Sequence, residues 1–423
     1  MSAPVLPPPP GTGTVETIVD GFECLRRVVK RMAVLAILAG PLAGCAGPGQ
    51  ELPSEARVRV PSGIPNGWSS PVAAVFEGPV PQGRVFSVFA ENSNETLAQL
   101  DPETGIPWLM GDLPAAGIHS VKPDPGEAAP VFRMVSDDQG YLVSEGERPV
   151  LFYQSAPRSL DGRYPRASYV HPLYGLDGRV LTHDFPDDHL HHRGIFWAWH
   201  QLWVGDKKAG DPWLTKDFLT EVESVRFLDG PLFSVLEATA LWSSPLQRDD
   251  TGELVPLVRE RVRIQVFRST PDSQVIDFHI RFRALVDGIR LGGSENPRGY
   301  SGFTVRVHAS PDGRIHDQSG IQEGDRVGES SPWADYSGTF GLGGMISGLG
   351  MLTHPSYPEF PPRWLLRHYG MQNVAFPGRH PVDLPRGQPL DLRHRLVIHR
   401  GGFEEAEVAE HQRVYEMVPA RSF

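Results

Sequence analysis

The 423-residue sequence has only two cysteines, Cys24 and Cys45. We interpret the segment that contains Cys24 as a cleaved leader, so Cys45 is the only cysteine of the predicted mature chain. A disulfide framework, a thiolate metal site and a cysteine nucleophile are therefore excluded from the folded domain. Long apolar runs are also lacking, because none reaches the 18 residues that a membrane-spanning helix needs.

Positive charge is scarce as well. The chain has 40 Lys and Arg against 51 Asp and Glu, a formal net charge of −11, and its only basic cluster lies near the N-terminus. Nucleic-acid-binding proteins carry a basic stripe, so nucleic acid is excluded as a partner. The 45 glycines and 41 prolines predict a turn-rich globular protein rather than a helical one.

The N-terminal basic cluster precedes the apolar run Met32–Leu42, the order of a secretory signal peptide. The following Leu42-Ala43-Gly44-Cys45 resembles the lipobox of bacterial lipoproteins, which implies cleavage before Cys45 and lipidation of its thiol. We predict a lipoprotein signal peptide at residues 1–44 and a tether at residues 45–53. The exported protein would then be attached to the cell envelope, on the periplasmic face or the outer membrane, only through the Cys45 lipid. A plain signal peptide with an incidental cysteine is the alternative.

Apolar and polar residues alternate with period two in the later part of the chain. Val262, Ile264 and Val266 share one face of a predicted strand, and the same pattern recurs over residues 276–284 and 303–308. Turn signals such as Asp312-Gly313 separate these segments, which is typical of antiparallel strands. We therefore predict an all-β fold in which two large antiparallel sheets pack as a β-sandwich.

The sandwich is predicted to span residues 148–423. Residues 54–147 have short strand-like segments among Pro and Gly turns, which indicates either a smaller N-terminal β-unit or strands added to the main sheet. The only predicted helix is Glu404–Tyr415.

The stretch Thr182–Trp213 concentrates titratable groups and large rings. It holds five of the 16 histidines and four of the nine tryptophans. A core strand does not have this composition, whereas a pocket for a polar ligand does, because a few polar groups orient the ligand and aromatic faces supply contact area. The sequence therefore predicts a functional site in this stretch.

The densest group is the motif Asp188-His189-Leu190-His191-His192-Arg193-Gly194. On an extended backbone His189 and His191 point the same way, opposite Asp188 and His192. Imidazoles titrate near pH 6.5 and suit proton transfer, and two of them at this spacing can also bind one metal ion. The alternative is a loop of hydrogen-bonded imidazoles. No cofactor is predicted, and a divalent metal at His189 and His191 stays an open alternative.

Further candidates lie in the same stretch and in two later segments. Arg193 is predicted to hold an oxyanion or hydroxyl, and Trp197 or Trp199 to stack on a ligand or, alternatively, to cap a sheet core. Glu295 lies in a loop before a strand, where functional groups often lie. The predicted catalytic residues are His189, His191, His192, Arg193, Asp188 and Glu295. The predicted substrate-binding residues are His183, Asp184, Trp197, Trp199, His354, Arg363 and His368.

Several segments carry a family resemblance: Tyr164-Pro165-Arg166, Tyr169-x-His171-Pro172-Leu173-Tyr174-Gly175, Phe185-Pro186-x-Asp188-His189-x-His191-His192-Arg193-Gly194 and His354-Pro355-Ser356. Over about Pro149–Arg400 the chain resembles an uncharacterised bacterial family often labelled methane-oxygenase PmoA-like. The resemblance implies a secreted or lipid-anchored β-rich domain, common in bacteria that degrade polysaccharides. The strand pattern is also similar to the galactose-mutarotase-like supersandwich, in which a concave sheet holds a carbohydrate with His and carboxylate side chains.

Three hypotheses follow for the function. The first is a carbohydrate-active lipoprotein whose histidines act as acid and base on a sugar or modified glycoside, in epimerisation, elimination or hydrolysis. The second is a lipoprotein that binds glycans without catalysis. The third, suggested by the family label, is a metal-dependent oxygenase. The predicted partner is a carbohydrate or another small-molecule substrate.

Overall fold

Antiparallel β-strands make up most of the structure, a computed structural model that describes residues 56–89, 95–123, 128–421 and 423. The predicted signal peptide, the tether and Cys45 lie outside the described residues, so the lipoprotein assignment stays a prediction.

The first sixteen strands are β1 (Arg57–Val60), β2 (Val72–Ala73), β3 (Val75–Glu77), β4 (Val85–Phe89), β5 (Thr96–Leu100), β6 (Pro107–Leu109), β7 (Gly117–Pro123), β8 (Phe132–Ser136), β9 (Gly140–Glu145), β10 (Arg148–Gln154), β11 (Arg158–Leu160), β12 (Arg163–Arg166), β13 (Tyr169–Leu173), β14 (Ile195–Ala198), β15 (Gln201–Val204) and β16 (Lys207–Gly210). The later elements are β17 (Leu219–Leu228), β18 (Phe233–Ser243), β19 (Val258–Phe267), β20 (Ser273–Ala284), β21 (Ile289–Gly292), β22 (Gly302–Arg306), β23 (Arg314–Asp317), β24 (Gly320–Gln322), β25 (Arg326–Ser330), β26 (Trp333–Gly338), a 3₁₀ turn (Leu342–Gly344), β27 (Ser347–Thr353), β28 (Arg363–Arg367), β29 (Met371–Val374), β30 (Val382–Asp383), β31 (Leu390–Arg400) and the helix α1 (Val408–Glu416).

Two nine-stranded sheets form the body of the molecule. The site sheet has the order β25-β28-β29-β22-β14-β13-β10-β9-β8, and the back sheet has the order β17-β18-β19-β20-β31-β27-β26-β23-β24. Side chains of both sheets, among them Trp197 and Val305 from the site sheet and Phe278 and Leu396 from the back sheet, share one apolar core. The predicted all-β sandwich of large antiparallel sheets is confirmed.

The period-two pattern places side chains as predicted, although both faces of the back sheet are covered. Val262, Ile264 and Val266 are buried in the core between the sheets. Arg263, on the opposite face, is also buried, because it forms an ion pair of 2.8 Å with Asp101 from the N-terminal part of the chain. At this position the outer face of the back sheet is therefore covered by the N-terminal part of the chain, and a charged side chain buried there needs an ion-pair partner.

The N-terminal strands contribute to two different sheets. Strands β1 to β7 form a separate seven-stranded sheet of order β2-β6-β5-β4-β7-β1-β3 with its own apolar cluster around Phe86 and Val88. Strands β8 and β9 instead extend the site sheet next to β10. Residues of this segment therefore form a sheet of their own and also supply two strands of the site sheet.

The C-terminal helix α1 begins later than the predicted Glu404. Glu407, just before the helix, has a left-handed backbone with φ of 49°, and the helix runs from Val408 to Glu416. In the described part of the chain, no helix has the length and apolar character that a membrane crossing requires.

Candidate functional site

The histidine motif lies in two successive turns on the outer face of the site sheet. The N–H of His189 donates to the Pro186 carbonyl at 3.0 Å, and the N–H of His192 donates to the His189 carbonyl at 2.8 Å. Strand β14 begins only at Ile195. The expectation of an extended backbone, with His189 and His191 on one face, is therefore wrong: the two turns bring all three imidazoles together.

Gly194 explains how the motif joins the sheet. A Cβ at this position would lie 2.3 Å from the Val170 carbonyl oxygen and 2.8 Å from the Cβ of His171. Only glycine lets the start of β14 come this close to β13. The last residue of the motif therefore serves strand pairing.

Arg193 anchors the motif and has no donor left for a ligand. Its side chain is 0% exposed, and Nε donates to Asp184 Oδ1 at 2.5 Å. Its Nη1 donates to the carbonyls of Arg158 and Tyr164, and Nη2 donates to the Tyr169 hydroxyl. The predicted oxyanion role of Arg193 and the substrate-binding role of Asp184 are thus corrected: both groups are buried and hold the motif in place.

The histidine pocket is the depression next to these imidazoles. It is lined by His189, His191, His192, Trp213, Arg298, Tyr300, Leu365, Arg367, Tyr369 and Met371. The ring of His189 stacks on that of His192 at 4.6 Å, and the ring of His191 meets His192 edge to face at 4.7 Å. The histidines predicted from the motif are thus brought together in an open pocket.

The contact between Asp188 and His189 orients one imidazole. Nδ1 of His189 lies 3.1 Å from Asp188 Oδ2, and the side chain of His189 is 37% exposed. Both Asp188 oxygens accept from Nη2 of Arg306, at 2.8 and 2.9 Å. Partial burial raises the pKa of Asp188, but His189 and Arg306 outweigh that effect and lower the pKa overall. The 3.1 Å contact brings the Asp188 carboxylate against the His189 ring, although Nδ1 of His189 forms no hydrogen bond with a described residue.

His191 and His192 are neutral at pH 7. Burial lowers the pKa of His191 to about 4, and the neighbouring His189 adds to the effect. Burial likewise lowers the pKa of His192 well below its usual range, with His191 as the next contributor. Nδ1 of His192 is buried and has no hydrogen-bond partner among the described residues. Each neutral ring has one donor and one acceptor nitrogen.

Trp213 forms the floor beneath the imidazoles. It is fully buried and packs against Phe196, against His200 and against Tyr300, with ring centroids 5.2 to 5.4 Å apart. His200 in turn contacts Asp211 through Nδ1 at 2.9 Å. Trp213 is covered, so the partly buried rings of the lining are those of His189, His191, Tyr300 and Tyr369.

Trp197 and Trp199 do not take part in the pocket. They are 3% and 0% exposed and lie in the core between the two sheets, with the Trp199 Nε1–H donating to the Phe376 carbonyl at 2.9 Å. Trp197 points inward because it has the same strand parity as Ile195, whereas Phe196 faces the histidine side. Of the two alternatives, the core role is the one that the structure supports.

Five other predicted residues lie outside the pocket lining. Glu295 and Arg363 are exposed. His354 is buried near the C-terminal helix, with Nδ1 at 2.8 Å from the Ser356 hydroxyl and Nε2 at 2.8 Å from the Val418 carbonyl. His368 contacts Asp325, and His183 stacks on His308 with centroids 4.2 Å apart.

Metal binding gets no support from this donor set. Among the described residues, no group of three or more His, Cys, Asp or Glu side chains could hold a metal ion. The rings of His189 and His191, the pair predicted as alternative metal ligands, have centroids 5.8 Å apart and an interplanar angle of 77°.

The rest of the lining comes from two segments in which the sequence predicts neighbouring residues as site residues. Arg298 and Tyr300 lie in the same loop as Glu295, and Arg367 and Tyr369 flank His368. Arg and Tyr recur at alternate positions in both segments. Both pairs lie at turns rather than on extended backbone, since Gly299 has φ of 58° and strand β28 ends at Arg367, so strand periodicity could not have indicated a common surface.

These features define an all-β protein of two packed antiparallel sheets with a histidine-lined pocket on the outer face of one sheet. A family model described as a family of unknown function, DUF6807, matches residues 141–413, which hold every residue of the pocket lining, and the chain belongs to that family. A search of the curated proteins finds no match to the sequence.

Proposed function

We propose that the protein acts on a carbohydrate, a sugar or modified glycoside, and that His189 transfers a proton in the histidine pocket. The observation that carries the proposal is the joint placement of three imidazoles in one open pocket, with Asp188 fixed against Nδ1 of His189. A histidine backed by a carboxylate is a common arrangement for a general base or acid.

The other lining groups suit a hydroxylated ring. Tyr300 supplies a partly buried aromatic ring on which the apolar face of a sugar can pack, whereas the Tyr369 ring already stacks on His189 and carries the Arg306 guanidinium. The neutral imidazoles of His191 and His192 both donate and accept hydrogen bonds, as sugar hydroxyls require. The motif resemblance to the PmoA-like family and the lipobox at Cys45 support a role in the cell envelope.

Proton abstraction, as in epimerisation or elimination, fits the pocket better than hydrolysis. Hydrolysis of a glycoside usually needs two carboxyl groups that flank the scissile bond. None of the ten lining residues is Asp or Glu, and the adjacent Asp188 is held by Arg306. We therefore assign the reaction to His189 acting on a carbon-bound or hydroxyl proton.

Glycan binding without catalysis is the second candidate. It is favoured by the low pKa of His191 and of His192, because imidazoles that stay neutral over a wide pH range serve as hydrogen-bonding groups without proton transfer. In that case Asp188 would only orient His189 for a hydrogen bond to the ligand.

Variants at two pocket histidines separate these candidates. We would incubate the purified protein with a panel of oligosaccharides, detect products by mass spectrometry and NMR, and measure affinity by calorimetry. An enzyme should lose turnover in His189→Ala and His191→Ala while keeping most of its affinity, whereas a binder should lose affinity and show no product in any form. His119→Ala, on the N-terminal sheet, is the control. Wild-type protein that neither binds nor changes any glycan would contradict the proposal.

A further inference from the structure

We propose that the ligand carries an anionic group, a carboxylate or a sulfate ester, which Arg298 and Arg367 recognise in the histidine pocket. This inference rests on the proposed function, since it names the class of sugar that the same pocket accepts. It predicts a preference for acidic sugars over neutral ones.

Arg298 brings a free guanidinium to the pocket. Its side chain is exposed and forms no ion pair or hydrogen bond with any described residue, although it lines the pocket. Its backbone is held in place, because the Arg298 N–H donates to Asn296 Oδ1 at 2.9 Å and the next N–H, of Gly299, donates to the Asn296 carbonyl. A charged group on an anchored turn can contact a ligand with little loss of backbone entropy.

Arg367 supplies a second guanidinium from strand β28. Its Nη1 donates to Asp325 Oδ2 at 2.7 Å, which fixes the side chain, and its Nε and Nη2 have no partner among the described residues. Only 11% of the side chain is exposed. A guanidinium held by one nitrogen still offers its other donors to an oxyanion, and such pairs are often bidentate.

The charge around the pocket is opposite to that of the whole chain. Acidic residues outnumber basic ones by 51 to 40 over the sequence, yet the lining contains two arginines and no Asp or Glu. Among the nearby carboxylates, Asp188 and Asp325 are paired with Arg306 and Arg367, and Asp211 contacts His200. Buried Arg306 also has Nε and Nη1 without a partner among the described residues. An anion would compensate this local excess of positive charge.

The test compares ligands that differ only in charge. Calorimetry on the full protein would measure binding of uronic-acid oligosaccharides, their neutral methyl esters, sulfated sugars and neutral sugars. We expect acids to bind at least tenfold more tightly than their esters, with affinity that falls as NaCl is raised. Comparing the affinities for uronates and for sulfated sugars shows whether a carboxylate or a sulfate ester is preferred.

Two variants assign the effect to residues. Arg298→Gln should weaken binding of the acidic sugar about tenfold or more, the usual size for a hydrogen bond to a charged group, and should change the affinity for the methyl ester less than twofold. Arg363→Gln, an exposed arginine of the same strand as Arg367 but outside the pocket lining, is the matched control and should bind like the wild type.

The outcomes also separate this inference from the proposed function. Equal affinity for acid and ester, or an Arg298→Gln variant that binds acids as tightly as the wild type, would overturn the anionic ligand and leave the carbohydrate pocket standing. Failure of every sugar in the panel to bind would overturn both.

Discussion

At the scale of single residues, Asp188 and His189 form the pair on which proton transfer depends. Burial raises the pKa of Asp188, but His189 and Arg306 lower it overall, and the Asp188 carboxylate lies 3.1 Å from Nδ1 of His189. We predict that His189→Gln lowers kcat by about 10² to 10⁴-fold, the usual contribution of a general base, with a small change in KM. Steady-state kinetics on any substrate found in the glycan panel would check this, and a change confined to KM would point to a binding role.

Arg193 leads to a different prediction because all its contacts are internal. Arg193→Gln leaves the Asp184 carboxylate buried with only the more distant Arg158 as a charged partner, at 3.3 Å. We expect a loss of about 3 to 5 kcal/mol in the free energy of unfolding, measured by urea denaturation. The double variant with Asp184→Asn should recover part of that loss. A stable Arg193→Gln protein that has lost only ligand affinity would instead restore the binding role predicted from the sequence.

At the scale of elements, the approach of strand β14 to strand β13 depends on Gly194. Gly194→Ala would place a methyl group 2.3 Å from the Val170 carbonyl oxygen, so the two strands must separate. We predict a loss of about 1 to 3 kcal/mol or more, as for overpacked sites, together with a disturbed histidine pocket. Thermal unfolding and ligand affinity would measure the two effects.

The matched control is Gly324→Ala. A Cβ at Gly324 meets no atom within 4 Å, so this change should alter stability by less than about 1 kcal/mol. Equal effects at both glycines would show that close packing at β14 is not the cause.

The strands could be predicted from the sequence, but the backbone conformation of the histidine motif could not. The alternation of apolar and polar residues around Val262, Ile264 and Val266 predicts which side chains are buried, because successive side chains of a strand point to opposite faces of the sheet. The same rule failed at His189 and His191 because two backbone hydrogen bonds, from His189 to Pro186 and from His192 to His189, curl that segment into turns. Polar residues occur both in turns and in functional sites, so their spacing in the sequence does not reveal the backbone conformation.

At the scale of the whole molecule, many histidines are buried in the neutral state. Burial lowers the pKa to about 4 for His171, His191 and His279 and to about 3 for His394 and His411. The unfolded chain has histidines near pH 6.5, so it binds more protons than the folded chain below that pH. The stabilisation is therefore present above pH 6.5 and is lost progressively as the pH falls towards 4 and 3.

We accordingly predict a steep fall in unfolding free energy between pH 6.5 and pH 4, of up to about 1.4 kcal/mol per pH unit for each such histidine. Buried Glu260 acts in the opposite sense: burial raises its pKa to about 7, so its contribution is lost as the pH rises from about 4.5 to 7. Urea denaturation at several pH values would measure the sum. A stability that is flat from pH 7 to pH 5 would contradict the prediction.

One pair of variants tests the role of the histidines in this fall. His394→Leu removes a fully buried imidazole and should make the dependence of stability on pH shallower below pH 6.5. His380→Leu, at an exposed position, should leave the slope unchanged.

The lining of the histidine pocket depends on the fold of the whole molecule, so only part of it could be predicted from the sequence. His189, His191 and His192 are neighbours in the chain, but Arg298 and Arg367 arrive through sheet pairing of strands more than 100 residues later. Pairing of distant strands depends on the packing of the whole sandwich, and local patterns carry no information about it. For the same reason the sequence leaves two roles open for Trp197 and Trp199, ligand stacking and a sheet core, because nothing local distinguishes a core face from a pocket face.

The central claim is that the histidine pocket is where the carbohydrate binds. The most direct measurement is the NMR spectrum of the protein with labelled histidines, recorded during titration with the sugar that binds most tightly in the panel. The account predicts that the ring resonances of His189, His191 and His192, assigned with single variants, shift with the same Kd as calorimetry reports, while those of His119 and His380 stay fixed. Binding that leaves the three pocket imidazoles unchanged would contradict it.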